Sequence, residues 1–266
     1  HLLIGSTCSS VSLPIVDVTA KAGVAQMIPH STNSKITQKG SEWVFRIPVS
    51  GRYYGGVNAK YVGENIGTKI AYICAADAAS VGDCANMEKQ MRARFGAEPA
   101  YRADVQEKEV DFRSHMQKIK SMDVDGILVA ALAETMARAL VQSYEAGIGE
   151  DVRRIGSSSA SNAPVPKIAG DAAKGVFFTA AYAAADNRPI AKLFNEMTRQ
   201  RYGIHAPDHD FSQAYDLVRI MEIALNNADL NLSDSSLAAD RTAIRDAIAS
   251  VEGYEGLASG PISFCA

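Results

Sequence analysis

Apolar and polar positions along this chain follow two rhythms. Short apolar runs read as strands: Leu2-Leu3-Ile4, Val24-Ala25-Gln26-Met27-Ile28, Trp43-Val44-Phe45-Arg46-Ile47, residues 69–74, residues 101–105, Gly126-Ile127-Leu128-Val129-Ala130, Arg153-Arg154-Ile155 and Val176-Phe177-Phe178-Thr179. Between most of them lie helix-length stretches whose apolar residues return every three or four positions, the spacing of one helix face. The first runs from the Cys8 loop past Pro14 to Gly23, and the next covers 52–65 and presents Tyr54, Val57 and Tyr61. Others cover 83–95, closed by Gly96, then a stretch from an Asp111 cap to 122, and 134–146, closed by Gly147. Carboxylates before helices and glycines after them are start and stop signals with a physical basis. Strand and helix in alternation predict an α/β fold of doubly wound, mainly parallel sheets covered by helices.

After Thr179 the alternation stops. Helices are predicted over 189–202, 211–226 and 235–251, followed by one closing strand, Pro261-Ile262-Ser263-Phe264. Helices with so few strands do not complete a sheet of their own, so this tail is expected to pack on the first segment. The domain organisation that follows is two lobes: lobe I, discontinuous and incomplete, from 1–48 and 182–266, and lobe II from 49–181. A hinge would be made by crossings near 47–51 and 179–185.

Three strand ends run into hydroxyl-rich loops: Cys8-Ser9-Ser10, Pro29-His30-Ser31-Thr32-Asn33 and Ser157-Ser158-Ser159-Ala160-Ser161-Asn162. The carboxyl edge of a parallel sheet is where open α/β folds bind ligands. Hydroxyls beside the amides of a helix N-terminus suit a carboxylate. The same residue types also cap helices and form turns without any further task. The only histidine near the first two loops is His30, and no acidic residue stands at a spacing that would orient it as a base. The loops therefore read as built to hold a ligand, and no residue is assigned a catalytic role.

Composition narrows the classes. A chain of 266 residues has room for one large domain or two lobes with separate cores. A net charge of -3, without a run of Lys or Arg, gives no footprint for nucleic acid or for an anionic membrane surface. Charges interrupt every apolar run well short of the roughly 18 residues of a membrane span, so no direct membrane insertion is expected. There is no CxxC spacing and no glycine-rich phosphate loop, and the one HxxxH spacing is His205 to His209, so neither metal nor cofactor is predicted. His205, Asp208 and His209 form only a weak metal-like cluster. Four cysteines permit two disulfides in an oxidising compartment. Cys74 ends a strand and Cys84 opens the next helix, which fits either a local disulfide or two partly buried thiols. The chain starts at His1 without the basic start or cleavage site of a secretory signal, as a mature or a truncated product would.

Several blocks in order then carry a likeness: Ile4-Gly5-Ser6-Thr7-Cys8-Ser9-Ser10, Ile28-Pro29-His30-Ser31-Thr32-Asn33, Thr37-Gln38-Lys39-Gly40, Ile168-Ala169-Gly170-Asp171-Ala172-Ala173-Lys174-Gly175 and Ala214-Tyr215-Asp216. Together they resemble the leucine/isoleucine/valine-binding proteins of bacterial ABC importers, over almost the whole chain. The resemblance implies a type I periplasmic solute-binding protein, with two αβ lobes, a hinge and a ligand in the cleft. It places the ligand's carboxylate and part of its amino group on Ser9, with Ser10 beside it, and on His30, Ser31 and Thr32. It places discriminating contacts of the second lobe at Val81, Leu132 and Ser158, with Asp216 a further candidate. Where leucine-binding members carry an acidic residue for the ammonium, this chain has a serine, read as Ser158. A buried ammonium without a counter-charge costs several kcal/mol, so an aromatic or hydroxy acid fits better than an amino acid unless Asp77, Glu134 or Asp216 reaches in. The family's first βαβ units have no counterpart before His1, nor its last strands after Ala266. Cys8, whose family partner lies in the former part, is expected to be unpaired.

The function implied is the solute-binding component of an ABC importer: not an enzyme, a monomer, periplasmic or, in a Gram-positive host, extracellular and membrane-anchored. Its partners would be a small carboxylate ligand, captured by hinge closure, and a membrane permease. A ligand-sensing receptor domain is the alternative with the same fold. A hydrolase using Cys8 or a loop serine with His30 is less favoured, because a nucleophile needs a positioned base and an orienting group.

Overall fold

The computed structural model describes residues 1–38, 40–258 and 260–264. Its strands and helices, in chain order, are β1 (Leu2–Ile4), α1 (Ser9–Lys21), β2 (Ala25–Ile28), α2 (Lys35–Gln38), β3 (Val44–Arg46), α3 (Gly51–Asn65), β4 (Ile70–Ala75), α4 (Ala78–Phe95), β5 (Tyr101–Val105) and α5 (Arg113–Lys120). There follow β6 (Gly126–Ala130), α6 (Ala133–Glu145), β7 (Arg153–Gly156), α7 (Pro164–Ala169), β8 (Phe177–Phe178), α8 (Pro189–Tyr202), α9 (His209–Asn227), α10 (Leu237–Ala249), β9 (Tyr254–Gly256) and β10 (Gly260–Ile262). The chain divides into two compact units, His1–Val49 with Ala181–Ala266 and Ser50–Ala180.

In the first unit β1, β2 and β3 form a parallel sheet in that order. Successive side chains of a strand face opposite ways, and β2 serves two cores. Ala25 and Met27 pack with Phe45 against Leu217 and Ile220 of α9 and Ile244 and Ile248 of α10. Ile28 packs with Val16 of α1 and Ile36 on the other side. Gln26, fully buried in the same strand, is accommodated because its amide donates to the Gly5 carbonyl at 2.8 Å and accepts from Thr19 at 3.2 Å.

The second unit carries a five-stranded parallel sheet in the order β5-β4-β6-β7-β8. Its central strands are apolar on both faces, as a sheet covered by helices on both sides requires. Ala71, Ile73, Ile127 and Val129 face Phe112, Met116 and Ile119 from the α5 segment and Met136 and Leu140 of α6. Ile70, Tyr72 and Leu128 face Ala59 and Val62 of α3 and Met87 and Met91 of α4.

Four local expectations are corrected. The helix expected over 83–95 starts five residues earlier, because the Asp77 side chain caps it by accepting from the amides of Ala79 and Ser80. In α3 the buried face is Tyr54, Gly55, Asn58, Ala59 and Val62, whereas Val57 is exposed and Tyr61 stacks on Phe177. Asp111 stands one residue before the N-cap of α5 and clasps Arg113. The closing strand pairs antiparallel with β9, a strand absent from the sequence reading. Of the two possibilities left open for Cys74 and Cys84, the disulfide is the one present. Cys8 is a free thiol, and Cys265 lies outside the described residues.

The small face of α3 is what lets it approach α4. A Cβ at Gly55 would stand 2.7 Å from the Asn86 Cβ and 3.0 Å from its carbonyl carbon, and one at Gly63 would enter the Phe95 ring. Overpacking of this kind costs about 1–3 kcal/mol. Gly55→Val is therefore expected to lower the unfolding free energy by roughly that amount in urea titration, and an unchanged midpoint would contradict the packing described.

Candidate functional site

Each unit presents the loops after its strands at one sheet edge. In the first unit the loops following β1 and β2 are tied together by hydroxyls. Ser31, 1% exposed, has its hydroxyl 2.8 Å from the Ser6 carbonyl, 3.1 Å from that of Thr7 and 2.8 Å from the Ser12 hydroxyl. Ser12 also accepts from the Ser6 amide at 3.0 Å. The buried Ser9 hydroxyl accepts from the Asn33 amide at 3.3 Å. Thr32 is buried, and its carbonyl and that of Asn33 accept from Arg46 of β3. Ser10 is exposed on the first turn of α1. Thus Ser31 is bonded to the β1 loop beside Ser6 and Ser12, while Ser9 and Thr32 are joined through Asn33 and Arg46; Ser6, Ser12 and Arg46 were not assigned a role from the sequence.

His30 brings in a third wall. Its Nε2 donates to the Asp210 carbonyl at 2.7 Å, and its Nδ1 lies 3.3 Å from the Thr7 hydroxyl. The first turn of α9 is thereby fixed against the hydroxyl loops, with His209 buried beside the Asp210 carboxylate at 3.0 Å. The Gln213 amide is buried one turn further along α9, with neither its nitrogen nor its oxygen hydrogen-bonded. Asp208 spends its side chain on capping α9, and no group of three metal-ligating side chains occurs among the described residues. Asp216 stands apart from the loops. Fully buried, it accepts from the amides of Leu257 and Ala258 at 2.9 Å each, and burial holds its carboxyl above the ordinary range. Its geometry is that of a clamp on the hairpin turn.

In the second unit the predicted residues follow neighbouring strands. Val81, 46% exposed, lies in the first turns of α4 after β4; Leu132, half-buried, precedes α6 after β6; Ser158 opens a short 3-10 turn after β7. The Cys74–Cys84 disulfide closes the segment that carries Asp77, Val81 and Asp83. Asp77 is 4% exposed, and its second carboxylate oxygen has no hydrogen bond. Asp83, which the sequence reading placed at a helix start, instead faces a pocket of about 10 Å³ with Tyr54, Asn58, Ser157 and Ser158 over Met87 and Leu128. Burial, and secondarily the charge of Asp77, push its carboxyl up to about 7. The signal that would have found it is the Asp77 cap: starting the helix there puts Asp83 in its second turn.

A broader depression of about 720 Å³ lies at the opposite end of β7, lined by Tyr144, Glu150, Arg153, Arg154, Asp171 and Lys174. Its chemistry is internally satisfied. Arg154 donates to the carbonyls of Ile148, Gly149 and Val152, and Lys174 pairs with Asp171. The candidate residues lie at the loop-bearing edge of each unit, each taken by itself.

A family model described as periplasmic binding protein matches residues 1–266. A leucine-, isoleucine-, valine-, threonine- and alanine-binding protein of Pseudomonas aeruginosa is 26% identical over 178 residues, 66% of this chain and 47% of that protein. The chain thus spans about half the length of the curated relatives it matches. Among solved structures, the leucine binding protein LivK of Thermotoga maritima superposes with a TM-score of 0.85 at 24% identity, covering 98% of this chain and 71% of that one. A solute binding protein from R. palustris in complex with benzoate gives 0.85 at 18% identity, covering 100% and 70%.

Asp83 gives the unit a signed pH dependence. Its folded pKa of about 7 lies above its ordinary value of 3.8, so the folded form keeps a proton that the unfolded form loses. The stability this contributes is complete below the lower value and is lost as pH rises through the upper one. Asp83→Asn, which does not titrate, is expected to match the wild type in melting temperature at acidic pH and to exceed it progressively toward pH 8. A constant difference across that window would show that Asp83 is not desolvated.

Proposed function

Because the chain belongs to the periplasmic binding protein family, we propose that it is the solute-binding component of a branched-chain-amino-acid-type ABC importer and captures a small carboxylate. The carrying observation is the pair of hydroxyl loops, locked to each other, at successive strand ends of one parallel sheet. The ligand carboxylate belongs on that edge, beside Ser9, Ser10, His30 and Thr32. Ser31 supports them by holding the two loops in register. Val81, Leu132 and Ser158 of the second unit are the discriminating contacts. Hinge closure on the ligand, recognition by a membrane permease, a monomeric state and a periplasmic or extracellular location belong to the same reading.

The relative and the solved structures named above are binding proteins, and the geometry gives the hydrolase alternative no support. Both ring nitrogens of His30 face groups other than Cys8. For the ligand, the named relative binds leucine, isoleucine, valine, threonine and alanine and a named neighbour is a benzoate complex, so both α-amino acids and acids without an amino group belong to the class proposed.

A thermal-shift screen tests it. A ligand that binds only the native state at 100 times its Kd stabilises by about 2.7 kcal/mol. At least one α-amino acid, aromatic acid or hydroxy acid is expected to raise the melting temperature by several degrees, while its methyl ester does not. Ser9→Ala is expected to weaken that ligand roughly tenfold, the worth of one hydrogen bond to a charged group. A screen in which no carboxylate shifts the transition would overturn the proposal.

A further inference from the structure

The segment that joins β4 to α4 is poorly anchored by packing. Between Cys74 and Cys84 it holds four alanines and a glycine. Its one large apolar side chain, Val81, is exposed. Among the described residues, none from 76 to 83 belongs to a hydrophobic core, whereas Cys74, Cys84, Met87 and Met91 all do. The Asp77 cap does not replace those contacts, because its bonds run to the amides of Ala79 and Ser80, and the Asp77 carbonyl accepts from Val81. Bonds within a segment shape it without fastening it to its surroundings. The fastening is covalent: the Cys74–Cys84 bridge ties the end of β4 to the second turn of α4 across ten residues, with both cysteines buried in the core beneath.

We infer that Cys74 and Cys84 are positioning residues for solute capture: their bond holds the first turns of α4, and Val81 with them, in the binding geometry, so the solute is held tightly only when the bridge is closed. The inference rests on the carrier reading and adds to it a dependence on redox state. A segment left loose must be ordered as the solute binds, and that ordering is subtracted from the affinity. Reduction by a dithiol breaks the S–S bond, gives each sulfur one electron and one proton, and closes the dithiol to its own disulfide. A chain made in a reducing compartment would therefore retain its solute only after reaching an oxidising one. A disulfide also stabilises a protein by constraining its unfolded chain. That effect has no bearing on affinity at temperatures where the protein is folded, and this separates the two roles.

The test is calorimetric titration of L-leucine, L-isoleucine and benzoate into oxidised wild type, wild type in excess dithiothreitol, and Cys74→Ala/Cys84→Ala, at a temperature where circular dichroism shows each form folded. A probe that binds oxidised wild type is expected to bind the other two forms about 5- to 30-fold more weakly. Dithiothreitol should not weaken the double variant further, which assigns the loss to this bridge and not to Cys8. Met91→Ala, a cavity in the same core, should lower the melting temperature and leave the Kd unchanged. Amide hydrogen exchange should quicken on reduction over 76–84 and not over 87–95. Equal Kd values in all three forms, or an equal loss in Met91→Ala, would sink the proposal while the carrier reading stands. If the double variant does not fold, reduced wild type decides alone; if neither folds, the bridge is a folding element and the proposal fails. Silence of oxidised wild type toward these probes and the wider carboxylate screen would overturn both.

Discussion

The Ser31 hydroxyl, buried between Ser6, Thr7 and Ser12, is the contact on which the first unit's edge depends. A parallel sheet leaves main-chain carbonyls and amides unpaired where its strands run into loops, and buried groups of that kind must find partners. Here the partners are side chains: Ser31 and Ser12 for the Ser6 carbonyl, Ser9 for the Asn33 amide, Arg46 for the carbonyls of Thr32 and Asn33. The bland use of serine as a satisfier of backbone and the functional use of serine as a ligand group are therefore not alternatives. Some hydroxyls of the cluster hold the loops, and by holding them fix where the others stand. Such support by packed and hydrogen-bonded neighbours is what positions a binding site to within fractions of an ångström.

The second unit reaches the same end by different chemistry. Its loop after β4 is fixed at both ends by the Cys74–Cys84 disulfide and at its middle by the Asp77 cap. That leaves Asp83 on a rigid helix, pressed against a pocket with no cation near it. A purely structural position would carry Asn or a hydrophobic residue at lower free energy, because a half-buried carboxylate beside another one opposes folding. Charges held at a cost to stability gather at functional sites, whereas Asp216, more deeply buried, is met locally by two amides and needs no ligand to explain it.

What the sequence shows follows from burial. The strands over 101–105 and 126–130 and the helix over 189–202 coincide with β5, β6 and α8: β6 is an apolar run buried on both faces, β5 alternates buried Ala103 and Val105 with exposed Arg102 and Asp104, and α8 is bounded by Pro189 and Gly203. The hydroxyl loops were legible as loops at strand ends. Their mutual hydrogen bonds were not, because Ser12 and Ser31 are distant in sequence and their contact depends on the register of β1 against β2. The face of α3 was misread for a related reason. Apolar periodicity at Tyr54, Val57 and Tyr61 looks like a core face, but the helix is drawn to α4 by the absence of side chains at Gly55 and Gly63. A pattern built on apolar residues does not register a surface made of small ones. Of the hairpin, the closing strand was legible and its partner β9 was not, because three residues are too few for a period of two to be seen.

Position 158 shows the same dependence on packing. Reading a site from a likeness assigns charge to the aligned loop, so a missing carboxylate there reads as a missing charge. In the folded unit the relevant quantity is the field in the pocket, and the pocket is bounded by helices as much as by the loop. The charge on α4, six residues after its cap, enters the same water-sized space as the serine loop after β7. An acidic group on a rigid helix holds its oxygens in place more firmly than one on a 3-10 turn does. In this unit that helix is fastened to β4 by the Cys74–Cys84 disulfide.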